Sequence, residues 1–342
     1  MASIIGWDIG GAHLKAARVE DGVIVAAVQI ACPLWEGLLR LDSAFAEALG
    51  FLGQADAHAA AMTGELCDAF ATRAEGVAQL AAVAAARLSP APLTIYSLDG
   101  FVAPEAAPAR WMRVASANWL APAALAARMQ THGLFADMGS TTTDLIPFAL
   151  GTPRPRGETD AGRLACGELV YTGMVRSLPF AGVALAPFGG RWTGLMADLF
   201  ANMADVHRIL GQLPEGADAH PTWDGRDKSL AASQARLARL VGAEARDCAP
   251  GALAELAAFL AAAQRRAIED AARLVFSAAA QERAGPLVAA GVGRSVLARV
   301  AAALDRPCVD FATLAPALPQ AAAAAADNAP AAAIAILRAE TV

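Results

Sequence analysis

The chain has 342 residues, 56% of them hydrophobic and 18% charged, and a formal net charge of −6. That length exceeds what one hydrophobic core usually serves, so two domains are expected, and the composition excludes a disordered chain. The acidic balance excludes broad attraction to nucleic acid or anionic membrane, so any anionic ligand must be held by a local site. Of 27 basic residues only Lys15 and Lys228 are lysines. Cys32, Cys67, Cys166, Cys248 and Cys308 stand apart without a C-x-x-C pair, as expected of reduced thiols, and the histidines show no metal-ligand spacing. The N-terminus lacks a basic leader and meets Asp8 early, and no apolar run makes a convincing membrane span, so a cytoplasmic location is expected.

Residues 3–8 predict a strand that ends at Asp8 and is followed by Gly10-Gly11. Residues 13–19 and 23–31 predict two more strands joined by an Asp21-Gly22 turn, so the chain opens as an antiparallel meander. Helices are expected over 34–49 and 73–88, with strands at 57–62 and 93–96. Residues 118–132 predict a helix that leads into a strand at 134–138. There the opening pattern recurs: a strand, Asp137, a turn beginning Gly139-Ser140, then an apolar strand to Phe148. Such a repeat predicts two related halves. Further helices are expected over 167–178, 195–210, 230–241 and 251 to about 280, followed by a strand at 286–290, Gly291-Val292-Gly293 and a helix to Leu304. The Ala-rich run from Ala321 is interrupted by Asp327, Asn328 and Pro330 and reads as two soluble helices. The expected domains are 1–130 and 131–327, the second with a helical insertion, and with the C-terminal helix 328–342 free to pack on the first.

Three constellations carry chemistry. In Asp8-x-Gly10-Gly11-x-His13-x-Lys15 the glycines let main-chain N–H groups approach phosphate, the aspartate suits Mg²⁺, and the lysine supplies a point charge. The alternative is a plain hairpin turn with a surface acid. In Asp137-x-Gly139-Ser140-Thr141-Thr142-Thr143-Asp144, hydroxyl donors stand between acids, with Asp137 a second candidate metal ligand; the alternative is a Thr-rich strand. Gly291-Val292-Gly293-Arg294 opens a helix but lacks the third glycine of a G-x-G-x-x-G signature, because Val296 stands there, and a helix-packing glycine pair is the alternative.

Taken together, these segments resemble the phosphate-one, phosphate-two and adenosine motifs of the superfamily containing actin, sugar kinases and acetate kinase. That resemblance implies an α/β fold of two ribonuclease-H-like (actin-like ATPase) domains around a central cleft. It implies that Asp8, Gly10, Gly11, Lys15, Asp137, Gly139, Ser140, Thr141, Thr142, Gly291 and Gly293 hold a phosphorylated ligand, with Mg²⁺ at Asp8 and Asp137. A closer likeness lies in the stretches from Gly6 to Lys15, Phe135 to Asp144, Asp160 to Gly173 and Trp223 to Asp227. They look like the hydantoinase/oxoprolinase-related proteins of tetrahydromethanopterin-linked one-carbon metabolism, which include the methanofuran-biosynthesis enzyme that joins a furan to a phenol. His13 departs from the small polar residue expected there.

The likeness implies transfer of an aminomethyl-furanylmethyl group from its diphosphate to the phenol of γ-glutamyltyramine or a tyrosine-type analogue, releasing diphosphate. Lys15 then stabilises the leaving group, and Asp144 or Glu168, with Asp160 third, takes the phenol proton. Tyr171 is a candidate wall of the acceptor pocket. Arg226 is a candidate contact for the glutamyl tail, and Asp227 an N-cap of the following helix. The alternatives are an ATP-dependent phosphotransferase or a hydantoinase/oxoprolinase-like hydrolase, and a noncatalytic actin-like binding or assembly protein. Expected partners are the phosphorylated furan and the phenolic acceptor, with no nucleic acid or membrane, and Ala-rich helix faces suited to a homodimer.

Overall fold

In the computed structural model, which describes residues 3–278 and 285–341, two mixed sheets face one another across a layer of helices. The first holds β1 (Ser3–Ile9), β2 (His13–Glu20), β3 (Val23–Ala31), β4 (Ala57–Met62), β5 (Leu93–Ser97) and β6 (Gly100–Val102), in the order β3-β2-β1-β4-β5-β6. Strands β1, β4 and β5 are parallel, and β2 runs against β1. The second sheet has β7 (His132–Met138), β8 (Thr143–Ala149), β9 (Thr152–Pro153) and β10 (Leu169–Val170). After a small hairpin of β11 (Leu185–Phe188) and β12 (Arg191–Gly194), it is completed by β13 (Leu287–Ala290) and β14 (Cys308–Asp310). Its order β10-β8-β7-β13-β14, with β8 antiparallel to β7 and the last two strands parallel to it, repeats the first. These are the two ribonuclease-H-like domains of an α/β fold.

Alternation along the strands aims the two aspartates. Ile5, Trp7 and Ile9 pack on the outer face of the first sheet, so Ile4, Gly6 and Asp8 belong to the inner face. In β7, Leu134, Ala136 and Met138 are outer while Phe135 and Asp137 are inner. Both acids therefore end their strands on facing sides of the molecule.

The helices Leu39–Leu52 and Arg73–Leu88 cover the outer face of the first sheet, while Ala252–Ala278 and Arg294–Ala303 cover that of the second. Between the sheets lie Leu120–Met129, Pro319–Asp327 and Ala329–Ala339, which present mainly alanine to both. The first of these packs on β8 and β9, and Ala329–Ala339, from the far end of the chain, packs on β1. The approach to β1 is close enough that a Cβ on Gly6 would lie 2.1 Å from the carbonyl oxygen of Ala331. A fourth core gathers the insertion, where β11, Met203–Ile209 and Leu230–Arg239 pack on the start of the long helix. No helix among the described residues is long and apolar enough to cross a membrane.

Four local expectations are corrected. The helix over 34–49 starts only at Leu39, because Gly37 with φ of 113° ends a 3₁₀ turn, Leu34–Glu36. No helix forms over 167–178. Gly167 terminates the helix Asp160–Cys166 in left-handed conformation, β10 joins the edge of β8, and Gly173 is pressed against the Ser140–Thr141 backbone. Over 195–210 the first part is extended, with the Leu195 and Met196 amides donating to Ala184 and Leu240 carbonyls; an Asn202–Asp205 capping box then starts the helix at Met203. Ser229, and not Asp227, caps the helix Leu230–Arg239. The expected end of the long helix at Ala280 and of the last helix at Val342 lie outside the described residues.

His58 in β4 is buried, and its Nδ1 accepts a hydrogen bond from Trp7 Nε1 at 3.2 Å. Burial pushes its pKa down to about 4. Between that value and the ordinary 6.5 the unfolded chain binds the extra proton, so stability is complete above pH 6.5 and falls as pH drops toward 4. The loss amounts to about 3 kcal/mol. Urea unfolding followed from pH 7 to pH 4 is expected to show this fall, and His58→Gln to make it smaller by about that amount. Gly6→Ala is expected to cost about 3 kcal/mol or more, because its methyl group meets backbone atoms that cannot move independently. A thermal midpoint of Gly6→Ala matching the parent chain would refute that packing.

Candidate active cleft

The two hairpins β1–β2 and β7–β8 are built alike. Gly10 N–H donates to His13 O at 3.0 Å and Gly139 N–H to Thr142 O at 2.9 Å, so each turn closes over the same number of residues. In the first hairpin Asp8 stands opposite Lys15; in the second Asp137 stands opposite Asp144. One copy thus pairs its acid with a lysine and the other with a second acid. Asp8, Lys15, Asp137 and Asp144 line one cleft of about 660 Å³, together with Gly10, Gly11, Gly139, Ser140, Thr141 and Thr142.

Electrostatics follow from that imbalance. Lys15 Nζ lies 3.7 Å from Asp8 Oδ2. Burial raises the Asp8 pKa, with Lys15 opposing the rise. Burial lifts Asp137 further, to about 7; Lys15 opposes this, but Asp144 and Asp8 add to it. Asp137 Oδ1 is buried without a hydrogen-bond partner among the described residues. Lys15 counters Asp8 and Arg163 counters Asp144, which leaves Asp137 without a cation beside it, a position that fits a bound cation. Among the described residues no group of three or more acidic, histidine or cysteine side chains converges to cage a metal. The donor set fits Mg²⁺, which commonly binds through one or two carboxylates plus substrate phosphates.

A segment between the domains orients both sides. Asn118 Nδ2 donates to Asp8 Oδ1 at 3.2 Å. The next residue, Trp119, carries the Arg163 guanidinium over its ring at 4.3 Å. Arg163 in turn bonds Asp144 Oδ1 at 2.6 Å and Glu168 O at 2.9 Å. Two straps cross the cleft rim. On one side Arg73 links buried Glu65 at 2.7 Å to Asp160 at 3.1 Å, with Ser116 bonded to both acids. On the other, His13 packs on His220 with ring centroids 4.7 Å apart, His220 lies beside Trp35, and Arg176 stacks over Trp35 at 4.9 Å. His13, where a small polar residue was expected, is thus a bridge between domains, and burial drives its pKa well down.

Several expected site residues are placed elsewhere. Glu168 is fully buried outside the cleft lining, and its two carboxylate oxygens accept from the backbone N–H groups of Arg156 and Gly157 at 2.7 and 3.0 Å, so it fastens a loop. Asp160 reaches the cleft but is committed to Arg73 and Ser116. Gly291 and Gly293 are packing glycines. A Cβ on Gly291 would lie 2.2 Å from Asp137 Oδ1, and one on Gly293 2.4 Å from the Met138 side chain. Their N–H groups donate to Ala326 and Met138 carbonyls, and Arg294 is engaged by Asp327 and Asp310. Trp223 and Tyr171 line the cleft, whereas Arg226 is exposed and outside its lining, and Asp224 pairs with Arg236. Sequence reasoning missed Asn118, Trp119, Arg163, Arg176 and Trp35. None lies in a glycine-rich turn, and their partners are remote in the chain.

Comparison with known proteins places the chain among relatives. It is 31% identical over 244 residues, 70% of its own length and 72% of the other's, to the (4-{4-[2-(gamma-L-glutamylamino)ethyl]phenoxymethyl}furan-2-yl)methanamine synthase of Methanocaldococcus jannaschii. A protein of the same name from Methanococcus vannielii matches at 31% over 109 residues, covering 32% of this chain and 48% of that one. The nucleotide-free structure of acetone carboxylase superposes with a TM-score of 0.57 at 12% identity, over 97% of this chain and 70% of that one, and so shares the fold. The family model described as hydantoinase/oxoprolinase matches residues 56–331. The chain belongs to the hydantoinase/oxoprolinase family.

Proposed function

We propose that this protein is a transferase that joins an aminomethyl-furanylmethyl diphosphate to the phenol of γ-glutamyltyramine, or of a tyrosine-type analogue, and releases diphosphate. The observation that carries the reading is a single cleft lined both by polyphosphate-binding chemistry and by exposed aromatic rings. Asp8, Lys15, Asp137 and the two glycine turns supply the first; Trp35, Tyr171 and Trp223 supply the second. Relatives named for making a phenoxymethyl-furan product support it.

The furan ring stabilises positive charge on its attached methylene, so the C–O bond to diphosphate breaks with both electrons leaving on oxygen. Lys15, Ser140, Thr141 and Thr142 line the cleft, and on this reading they meet the charge that grows there. Asp8 and Asp137 would hold Mg²⁺, which when bound supplies further charge neutralisation to the leaving diphosphate. The phenol oxygen then bonds to the methylene carbon and gives up its proton. We assign Asp144 as the acceptor, since it is 16% exposed, in the cleft, and oriented by Arg163. Glu168 lies outside the cleft lining, and Asp160 is held by Arg73 and Ser116.

An ATP-dependent phosphotransfer draws less support. Gly291, Gly293 and Arg294, the residues of the expected adenosine motif, have their N–H and guanidinium groups bound within the protein. Purified protein given Mg²⁺, the furan diphosphate and γ-glutamyltyramine is expected to form the ether, detected by mass, equally with and without ATP. ATP consumption without ether would overturn the reading. Lys15→Ala is expected to lower kcat by about 10²–10³, the usual loss on removing one preorganised charge stabiliser. Near-parental turnover would remove Lys15 from the mechanism.

A further inference from the structure

Three cations line the cleft, and two of them have protein counter-ions. Lys15 faces Asp8, and Arg163 grips Asp144. Arg176 pairs with no carboxylate among the described residues; the groups acting on it, after burial, are Tyr171 and Cys67. This half-buried guanidinium is nonetheless held in place. Its backbone N–H donates to Ser140 O at 2.9 Å, which ties it to the second phosphate turn, and its side chain stacks on Trp35 from the opposite domain. Burial costs a guanidinium hydration, and a planar fork of N–H donors is best repaid by a carboxylate or phosphate. A chain with 33 acidic residues that leaves this arginine unpaired inside its cleft has kept it for a ligand anion.

The surroundings favour one anion over another. The two glycine turns and Lys15 already provide for diphosphate, whereas Arg176 is flanked by Trp35 and Tyr171, surfaces suited to an aromatic ring. The geometry points to Arg176 as the specificity residue of an acceptor subsite, one that binds the carboxylate carried on the tail of a phenolic acceptor while Trp35 and Tyr171 bracket its ring. It takes over the role expected of Arg226, which is exposed and outside the cleft lining. The inference rests on the transferase reading for the identity of the acceptor. The subsite itself rests on the unpaired guanidinium.

Calorimetric binding tests it directly. γ-Glutamyltyramine, N-acetyltyramine, which has no carboxylate, and inorganic diphosphate with Mg²⁺ are titrated into the parent protein, Arg176→Gln and Arg176→Lys. The parent is expected to bind γ-glutamyltyramine about 10- to 100-fold more tightly than N-acetyltyramine, the usual worth of a charge-assisted hydrogen-bonded pair. Arg176→Gln is expected to abolish that preference while leaving diphosphate binding within about threefold, which also shows that the variant is folded; Arg176→Lys restores only part of it. Equal binding of both phenols by the parent, no binding of either, or an Arg176→Gln variant that keeps the preference would each overturn the inference. A parent without the preference overturns the inference whether or not the variants fold. Should the binding preference hold while no ether forms in the activity assay, the reaction assignment fails and the subsite stands.

Discussion

Two aspartates buried at the tips of facing strands, with one lysine between them, set the terms for this molecule. Asp8 and Asp137 lie on inner faces because strand alternation puts their neighbours Ile9 and Met138 on the outer ones. Burial raises the cost of their charge, and Asp144 adds to it opposite Asp137. A protein gains nothing in stability from such a cluster. It is retained where a ligand completes it, and a divalent cation would supply the positive charge the cluster lacks.

The rest of the architecture keeps this cluster in register. Asn118 and Trp119, adjacent in sequence, act on opposite domains: one bonds Asp8, and the other supports the arginine that holds Asp144. The layer beneath is made of alanine-faced helices, which let two sheets approach a common cleft closely, and Gly6 lets the last helix settle on β1. Gly291 plays the same part beside Asp137, where any side chain would occupy the space of the carboxylate. Glycines that look like nucleotide-binding elements thus act here through packing.

The two rims of the cleft differ in chemistry. One is strapped by the Glu65–Arg73–Asp160 network, an arrangement of fixed partners. The other is built of His13, His220, Trp35 and Arg176, with rings in contact and a guanidinium that lacks a protein counter-ion among the described residues. The polar strap ties Glu65 to Asp160, and the aromatic rim offers flat apolar surface on which the proposed phenolic acceptor would rest.

Local chemistry made much of this legible in the residues themselves. Strand, aspartate and glycine turn are decided within about ten residues, so the paired hairpins and their repeat follow from pattern, while the shared cleft of Asp8 and Asp137 is what the family resemblance implies. The long helices 73–88 and 252–278 follow from periodicity over several turns. Tertiary structure alone decided what each polar group meets. Asn118 finds Asp8 from 110 residues away, Arg163 finds Asp144 across a loop, and Arg176 meets Trp35 in the other domain. Glu168 looked as free to act as Asp144 until its oxygens were seen capping a loop, and residues 167–178 looked helical until a sheet edge claimed them. A carboxylate carries no mark in sequence of whether it will face solvent, substrate or backbone. That choice is made by packing, which juxtaposes segments whose separation along the chain no local preference encodes.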